Sequence, residues 1–140
     1  MFLPLVVFAI SPQEQIKQEG TYSEQFIEES RQIPPRDYLR SLVSKEDFVI
    51  LDAVSTCESN WGNKPNYLYD GENGIYTAYG PFQILKSTAE RYSSEDRRDP
   101  YANVRIAVEI YKAEGLTPWK LSKYCIMNKL GISSLTFDSL

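Results

Sequence analysis

The residue in this chain best placed to do chemistry is Glu58, which closes the apolar run "FVILDAVSTC" in the stretch Cys57-Glu58-Ser59-Asn60-Trp61-Gly62. A carboxyl at the edge of a core is partly desolvated, and at the C-terminal end of a helix it meets the negative end of the dipole. Both disfavour the charged form, so the group keeps its proton to higher pH than a free carboxylate. A general acid needs that combination of dryness and access. A solvated glutamate ending an ordinary helix is the plainer reading of the same residue. Histidine is absent from the 140 residues, which removes Ser–His–Asp and Cys–His nucleophile systems and most catalytic zinc sites. Acid–base chemistry then falls to carboxylates, tyrosine or lysine.

Other candidates lie downstream. Gln83 sits between Phe82 and Ile84, and a polar group in an apolar run needs a reason, so it reads as functional. Tyr79 and Phe82 read either as cleft contacts or as core packing. Asp70 and Glu72 follow Glu58 by 12 and 14 residues in Asp-Gly-Glu-Asn-Gly. Asp70 is a candidate second carboxylate, although an Asp-Gly bend explains it without further purpose. A calcium loop is another reading of that stretch, but the EF-hand spacing is missing. No metal or cofactor is expected.

The elements that must position these residues follow from periodicity and caps. Ser44, with Asp47 three residues on, has the form of a capping box. Phe48, Leu51, Val54 and Cys57 then recur at helical spacing, with Ile50 and Ala53 widening the apolar face. Between Asn63 and Tyr79 the turn signals Asp-Gly and Asn-Gly, flanked by tyrosines, predict a small β-hairpin around Asp70–Gly74. A short helix capped by Ser87 follows. Asp99 caps the clearest helix, with Pro100 at its first position and Gly115 as its stop. Val104, Ala107, Val108 and Tyr111 form its buried stripe. By that spacing Tyr111 is a core residue, and Asn103 bonds near the helix start. Thr117 and Pro118 open a last helix that returns Cys125 to the core. The fold class is α+β, mainly α, with a small β-hairpin.

Composition places this arrangement in one ordinary globular domain: 42% hydrophobic and 24% charged residues. A net charge of −4 leaves no positive field for nucleic acid. Ten tyrosines and two tryptophans suit sugar faces, and they also fill cores. Residues 1–9 read as a signal or apolar N-terminal segment, with Val7 and Ala9 at the −3 and −1 positions of a cleavage after Ala9. A buried first segment and a start codon placed too late are the other readings. The apolar start is far too short to span a bilayer. Residues 10–35 form a polar pre-domain segment, with a short helix over "SEQFIEESRQ" and an extended connector at Pro34-Pro35. The domain proper is 36–140.

Three segments, taken together, resemble the lysozyme-like lytic transglycosylase (SLT) family: the helix ending in Cys57-Glu58-Ser59, the turn Thr77-Ala78-Tyr79-Gly80-Pro81-Phe82-Gln83, and the helix Asp99-Pro100-Tyr101-Ala102-Asn103 onward. The resemblance covers about residues 36–125 and implies a lysozyme-like fold. It implies Glu58 as single catalytic acid/base, supported by Ser59, and substrate contacts by Tyr79, Phe82 and Gln83. Asn103 and Tyr111 would lie on the helix backing the cleft. Trp119 and Cys125 are similar to a closing Trp…Ser…Cys segment of smaller exported members, where Cys125 would pair with Cys57. Two unpaired thiols are the alternative; export favours the disulfide. Phe82 stands where the family usually has Met, and no Ala-Tyr-Asn-Ala-Gly segment follows, which removes a tyrosine expected to meet the acid.

The implied activity is cleavage of the β-1,4 MurNAc–GlcNAc bond of peptidoglycan with a 1,6-anhydro product. A muramidase-type hydrolase using Asp70 as second carboxylate and a catalytically inactive glycan-binding module are the alternatives. The implied partner is the glycan strand, with a larger secretion, conjugation or phage machine as a further one. The protein is expected to be exported and monomeric.

Overall fold

Helix caps set the boundaries of this chain. In the computed structural model, which describes residues 23–66 and 77–140, the Ser23 hydroxyl accepts from the Phe26 amide and opens α1, Glu24–Ser30. The apolar segment 1–9, and Asp70 and Glu72 with the expected hairpin turn, lie outside the described residues. The chain divides into two units, Met1–Gln32 and Ile33–Leu140. The elements that follow all belong to the second.

Pro34-Pro35 is more than the connector expected from its sequence. Pro34 is extended (φ −58°, ψ 148°), and Pro35 takes the first position of α2, Pro35–Leu42. A proline there gives up only an amide that no helix bond would use, and its φ is already helical. Tyr38 and Leu39 carry the buried face of α2. The Ser44 hydroxyl accepts from the Asp47 amide at 3.1 Å and starts α3, Lys45–Ser59, as the capping pattern predicts. Phe48, Leu51, Ala53 and Val54 are buried along it. Past α3, β1 (Pro65–Asn66) pairs antiparallel with β2 (Ala78–Tyr79), Pro65 opposite Tyr79 and Asn66 opposite Ala78. Among the described residues the β element is therefore this two-strand sheet, within a mainly helical arrangement.

Ser87 does not cap the next helix. α4, Lys86–Tyr92, begins one residue before it, with Leu85 at the N-cap and no side-chain cap bond. Asp99 does cap α5, Pro100–Glu114, accepting from the amides of Tyr101 (2.9 Å) and Ala102 (3.1 Å). The α5 stripe is wider than its spacing predicted. Besides Val104, Ala107 and Val108, residues Ala102, Asn103, Arg105, Ile106 and Ile110 are buried, because α2, α4 and the segment after Gly115 all pack against α5. A helix covered on several sides keeps only a narrow exposed strip, here Glu109, Lys112 and Ala113. Buried Arg105 is held by Glu95 (Nε to Oε2 3.0 Å) and the Tyr38 hydroxyl (2.9 Å), so its charge keeps a bonded partner in the core.

Gly115 stops α5 at φ +61°, and a Cβ there would lie 2.2 Å from the Leu140 carbonyl oxygen. The helix expected from Thr117 is in fact two pieces: a 3₁₀ segment, Thr117–Ser122, kinked at Trp119 (φ −104°, ψ 21°), and then α6, Lys123–Leu130. Thr117 makes no cap bond; Leu116 holds that position. The kink falls at a buried indole whose N–H is committed elsewhere. A final α7, Ser134–Ser139, is capped by Ser133, whose hydroxyl accepts from the Thr136 amide. Cys57 and Cys125 form a disulfide joining the end of α3 to α6, with Cα atoms 5.9 Å apart. Cys125 lies at an exposed position, not in the core.

Candidate active site

Glu58 occupies the last turn of α3 and is half-buried. Its carboxyl Oε1 accepts a hydrogen bond from the Ser122 hydroxyl at 2.6 Å, across 64 residues of sequence. Burial pushes the carboxyl above the ordinary glutamate range, and the Ser122 bond opposes that rise by favouring the anion. Among the described residues no cation and no second carboxylate contributes to the shift. Desolvation is thus what moves this carboxyl toward holding its proton, the direction a general acid requires.

The same end of α3 is tied to the turn Tyr79–Ile84, whose backbone is held by side chains from three elements. Tyr79 and Ile84 exchange both backbone bonds, at 3.1 and 3.0 Å. Ser55 and Ser59, one turn apart on α3, both donate to the Pro81 carbonyl, at 2.9 and 2.8 Å. From α5, Asn103 donates to the carbonyls of Tyr79 (2.8 Å) and Arg97 (2.9 Å) and accepts from the Phe82 amide (3.0 Å). Trp119 donates its indole N–H to the Phe82 carbonyl at 3.0 Å. Gly80 has φ +81°, and a Cβ there would come within 2.4 Å of Asn103 Nδ2. Only glycine allows both the turn and the amide behind it.

These contacts give each expected site residue a physical place. The Ser59 hydroxyl bonds the Pro81 carbonyl and accepts from the Gly62 amide (3.0 Å), so it ties α3 to the turn and makes no bond to the Glu58 carboxyl. Phe82 is fully buried between Trp61 (ring centroids 5.6 Å, edge-on) and Trp119 (6.2 Å); its ring is core, leaving its backbone to shape the turn. Asn103 is likewise fully buried, with its amide committed to the turn. Gln83 is half-buried and donates Nε2 to the carbonyls of Gly80 (2.9 Å) and Lys64 (3.0 Å). That leaves its Oε1 without a hydrogen bond among the described residues. Tyr79 is half-buried beneath the Arg97 guanidinium, 5.9 Å from the ring centre. Tyr111 is not brought to Glu58. Burial raises its hydroxyl pKa, and so do the charge of Asp47 and a hydrogen bond to it, and Asp47 lies at the opposite end of α3, about 16 Å along the axis from Glu58.

Two residues near the acid went unread from the sequence. Ser122 supplies the hydroxyl that meets the Glu58 carboxyl. Its position within Trp119…Ser122…Cys125 was the available signal. Trp61 is the other, half-buried just after α3, donating its indole N–H to Asp52 (2.9 Å). Asp52 also takes both guanidinium bonds of Arg36, at 2.7 and 2.8 Å. Arg36, with lesser help from the Trp61 bond, holds the Asp52 carboxyl below the usual range against the effect of burial. Asn60 (φ 52°), Trp61 (φ 61°) and Gln83 (φ 48°) are the non-glycine residues in the left-handed region among those described. Each costs of order 1–3 kcal/mol, and such positions gather at functional sites. Here two, Asn60 and Trp61, follow the end of α3 directly and the third belongs to the turn.

The assembly offers one carboxyl whose pKa burial raises, on the last turn of a helix tied through Ser55 and Ser59 to a turn bearing an amide oxygen, with a tryptophan just after that helix. It can deliver a proton to a bound oxygen and recover it. Among the described residues no group of three His, Cys, Asp or Glu gathers as metal ligands. No protein-family model, curated protein or solved structure matches the chain.

Proposed function

We propose that this protein is an exported lytic transglycosylase of lysozyme-like fold, cutting the β-1,4 MurNAc–GlcNAc bond of peptidoglycan with Glu58 as its single acid/base. The observation that carries the reading is a half-buried carboxyl whose one hydrogen-bond partner is a hydroxyl and whose shift has no charged contributor among the described residues. Glu58 protonates the leaving glycosidic oxygen, and the C1–O bond breaks toward an oxocarbenium-like centre. The sugar's own N-acetyl group shelters that centre. The Glu58 carboxylate then takes the proton from the 6-hydroxyl as its oxygen closes on C1, which restores the neutral acid and leaves a 1,6-anhydro product. One carboxyl is enough for both steps. The disulfide supports an oxidising compartment, and the tyrosine-rich composition supports a sugar ligand.

The test is incubation of the folded protein with isolated peptidoglycan and mass spectrometry of the released fragments, with Glu58→Gln in parallel. Anhydro-muropeptides that disappear in the variant are the expected result. Reducing-end fragments that disappear in the variant would replace this reading by hydrolysis and bring Asp70 under test. A well-folded wild type that releases nothing, yet binds the strands, would make it a glycan-binding module.

A further inference from the structure

Ser122 stands where two anchors meet. Three residues before it, Trp119 is buried and donates its indole N–H to the Phe82 carbonyl. Three residues after it, Cys125 is covalently tied to Cys57, the neighbour of Glu58. Between them Ser122 lies at the junction of the 3₁₀ segment and α6, and its hydroxyl reaches Glu58 Oε1 at 2.6 Å. A serine with one rotatable bond to its oxygen, bracketed this way, has little freedom to point elsewhere.

We propose that Ser122 is a positioning residue that fixes the rotamer of Glu58 and assigns its proton to one oxygen. The proposal rests on the reading of Glu58 as the acid. Donation to Oε1 makes that oxygen the acceptor in the neutral carboxyl, so the transferable proton sits on Oε2. Oε2 is then the atom that faces the substrate oxygen, and the acid need not sort between two orientations at each turnover. Charged groups on the surrounding elements are engaged or remote. Lys123 pairs with Asp138 (2.6 Å), Asp52 with Arg36 (2.7 Å), and neither they nor Lys64 and Lys120 enter among the causes acting on Glu58.

The experiment is a titration of the Glu58 side-chain carboxyl by carbon-13 NMR in wild type, Ser122→Ala and Ser122→Thr, the resonance identified by its loss in Glu58→Gln. Kinetics on solubilised peptidoglycan strands accompany it. The expected result is an upward move of the Glu58 midpoint in Ser122→Ala, since a bond that favours the anion is gone, and a return toward wild type in Ser122→Thr. The kcat is expected to fall about tenfold in Ser122→Ala with KM nearly unchanged, the pattern of lost orientation without lost binding. A Glu58 midpoint that does not move in folded Ser122→Ala overturns the proposal. A wild type without activity but with the midpoint moved by Ser122→Ala sinks the transglycosylase reading alone and leaves the Ser122–Glu58 coupling standing.

Discussion

Glu58 and Asp52 share one helix and are pushed in opposite directions by what surrounds them. Burial raises Glu58, while the Arg36 bond holds Asp52 down. Their effects on stability have opposite signs. With its folded pKa above the unfolded one, Glu58 binds more protons in the folded state between the two values, so stability falls as pH rises through that window. Glu58→Gln keeps an acceptor for Ser122 and removes the titration. We expect its melting temperature to match wild type below about pH 4, the unfolded carboxyl range, to exceed it as pH rises above that range, and the gap to level off once pH passes the raised folded value. Asp52 contributes stability that is present above its unfolded pKa and is lost as pH falls through its lowered folded value. Asp52→Asn is therefore expected to melt below wild type at pH 7 and to converge with it as pH falls below the lowered folded value. A pH series of calorimetric scans on the three proteins reads both. Parallel curves for Glu58→Gln and wild type would mean that Glu58 is not desolvated in solution.

At the scale of elements, the Tyr79–Ile84 turn is where α3, α5 and the 3₁₀ segment are tied together. The Pro81 carbonyl has two lone pairs and two donors, Ser55 and Ser59. Either serine can be lost while the oxygen keeps a partner, but losing both leaves a buried carbonyl unsatisfied. Ser55→Ala and Ser59→Ala are expected to cost about 1 kcal/mol each, and the double variant about 1 kcal/mol more than their sum. Urea unfolding of the four proteins measures this, and strict additivity would mean that the two bonds do not share the carbonyl. Gly80→Ala attacks the same joint from the other side. It meets both a left-handed φ and the Asn103 amide, and an expected loss of about 3 kcal/mol follows from the strain and the displaced bonds. The same urea series reads that loss, and a change under about 0.5 kcal/mol would place the turn away from Asn103 in solution.

Across the Ile33–Leu140 unit, the Cys57–Cys125 bridge closes a separation of 68 residues. In the chain-entropy account a loop of that length is worth about 4 kcal/mol, a large part of the stability of a domain this size. Reduction, or Cys57→Ser with Cys125→Ser, is expected to lower unfolding stability by roughly that amount, read as a drop in the urea midpoint with a steeper slope, since the released unfolded chain exposes more surface. The bridge also spans the two segments that meet at the acid, α3 through Cys57 and α6 through Cys125. Loss of activity under reduction at temperatures where the fold persists would be the functional counterpart. An unchanged urea midpoint after full reduction would show that helix packing alone sets the stability.

Much of this was legible before any coordinates. The caps at Ser44 and Asp99, the stop at Gly115 and the apolar face of α3 are local devices, written in residues within one or two turns of each other. The placement of Glu58 at the edge of the core follows from the same periodicity. What sequence could not supply was anything decided by contact between distant segments. That α5 is covered on several sides, that Phe82 and Asn103 are enclosed, and that Tyr111 faces Asp47 instead of Glu58 all depend on which helices pack together. The bond from Ser122 to Glu58 joins residues 64 apart, and no spacing rule reaches that far. The sequence by itself determined that a carboxyl stands at the end of the α3 core face, and how that helix begins and ends. Only the tertiary structure decided what dries that acid and which hydroxyl touches it, because burial and hydrogen bonding are properties of the packed chain.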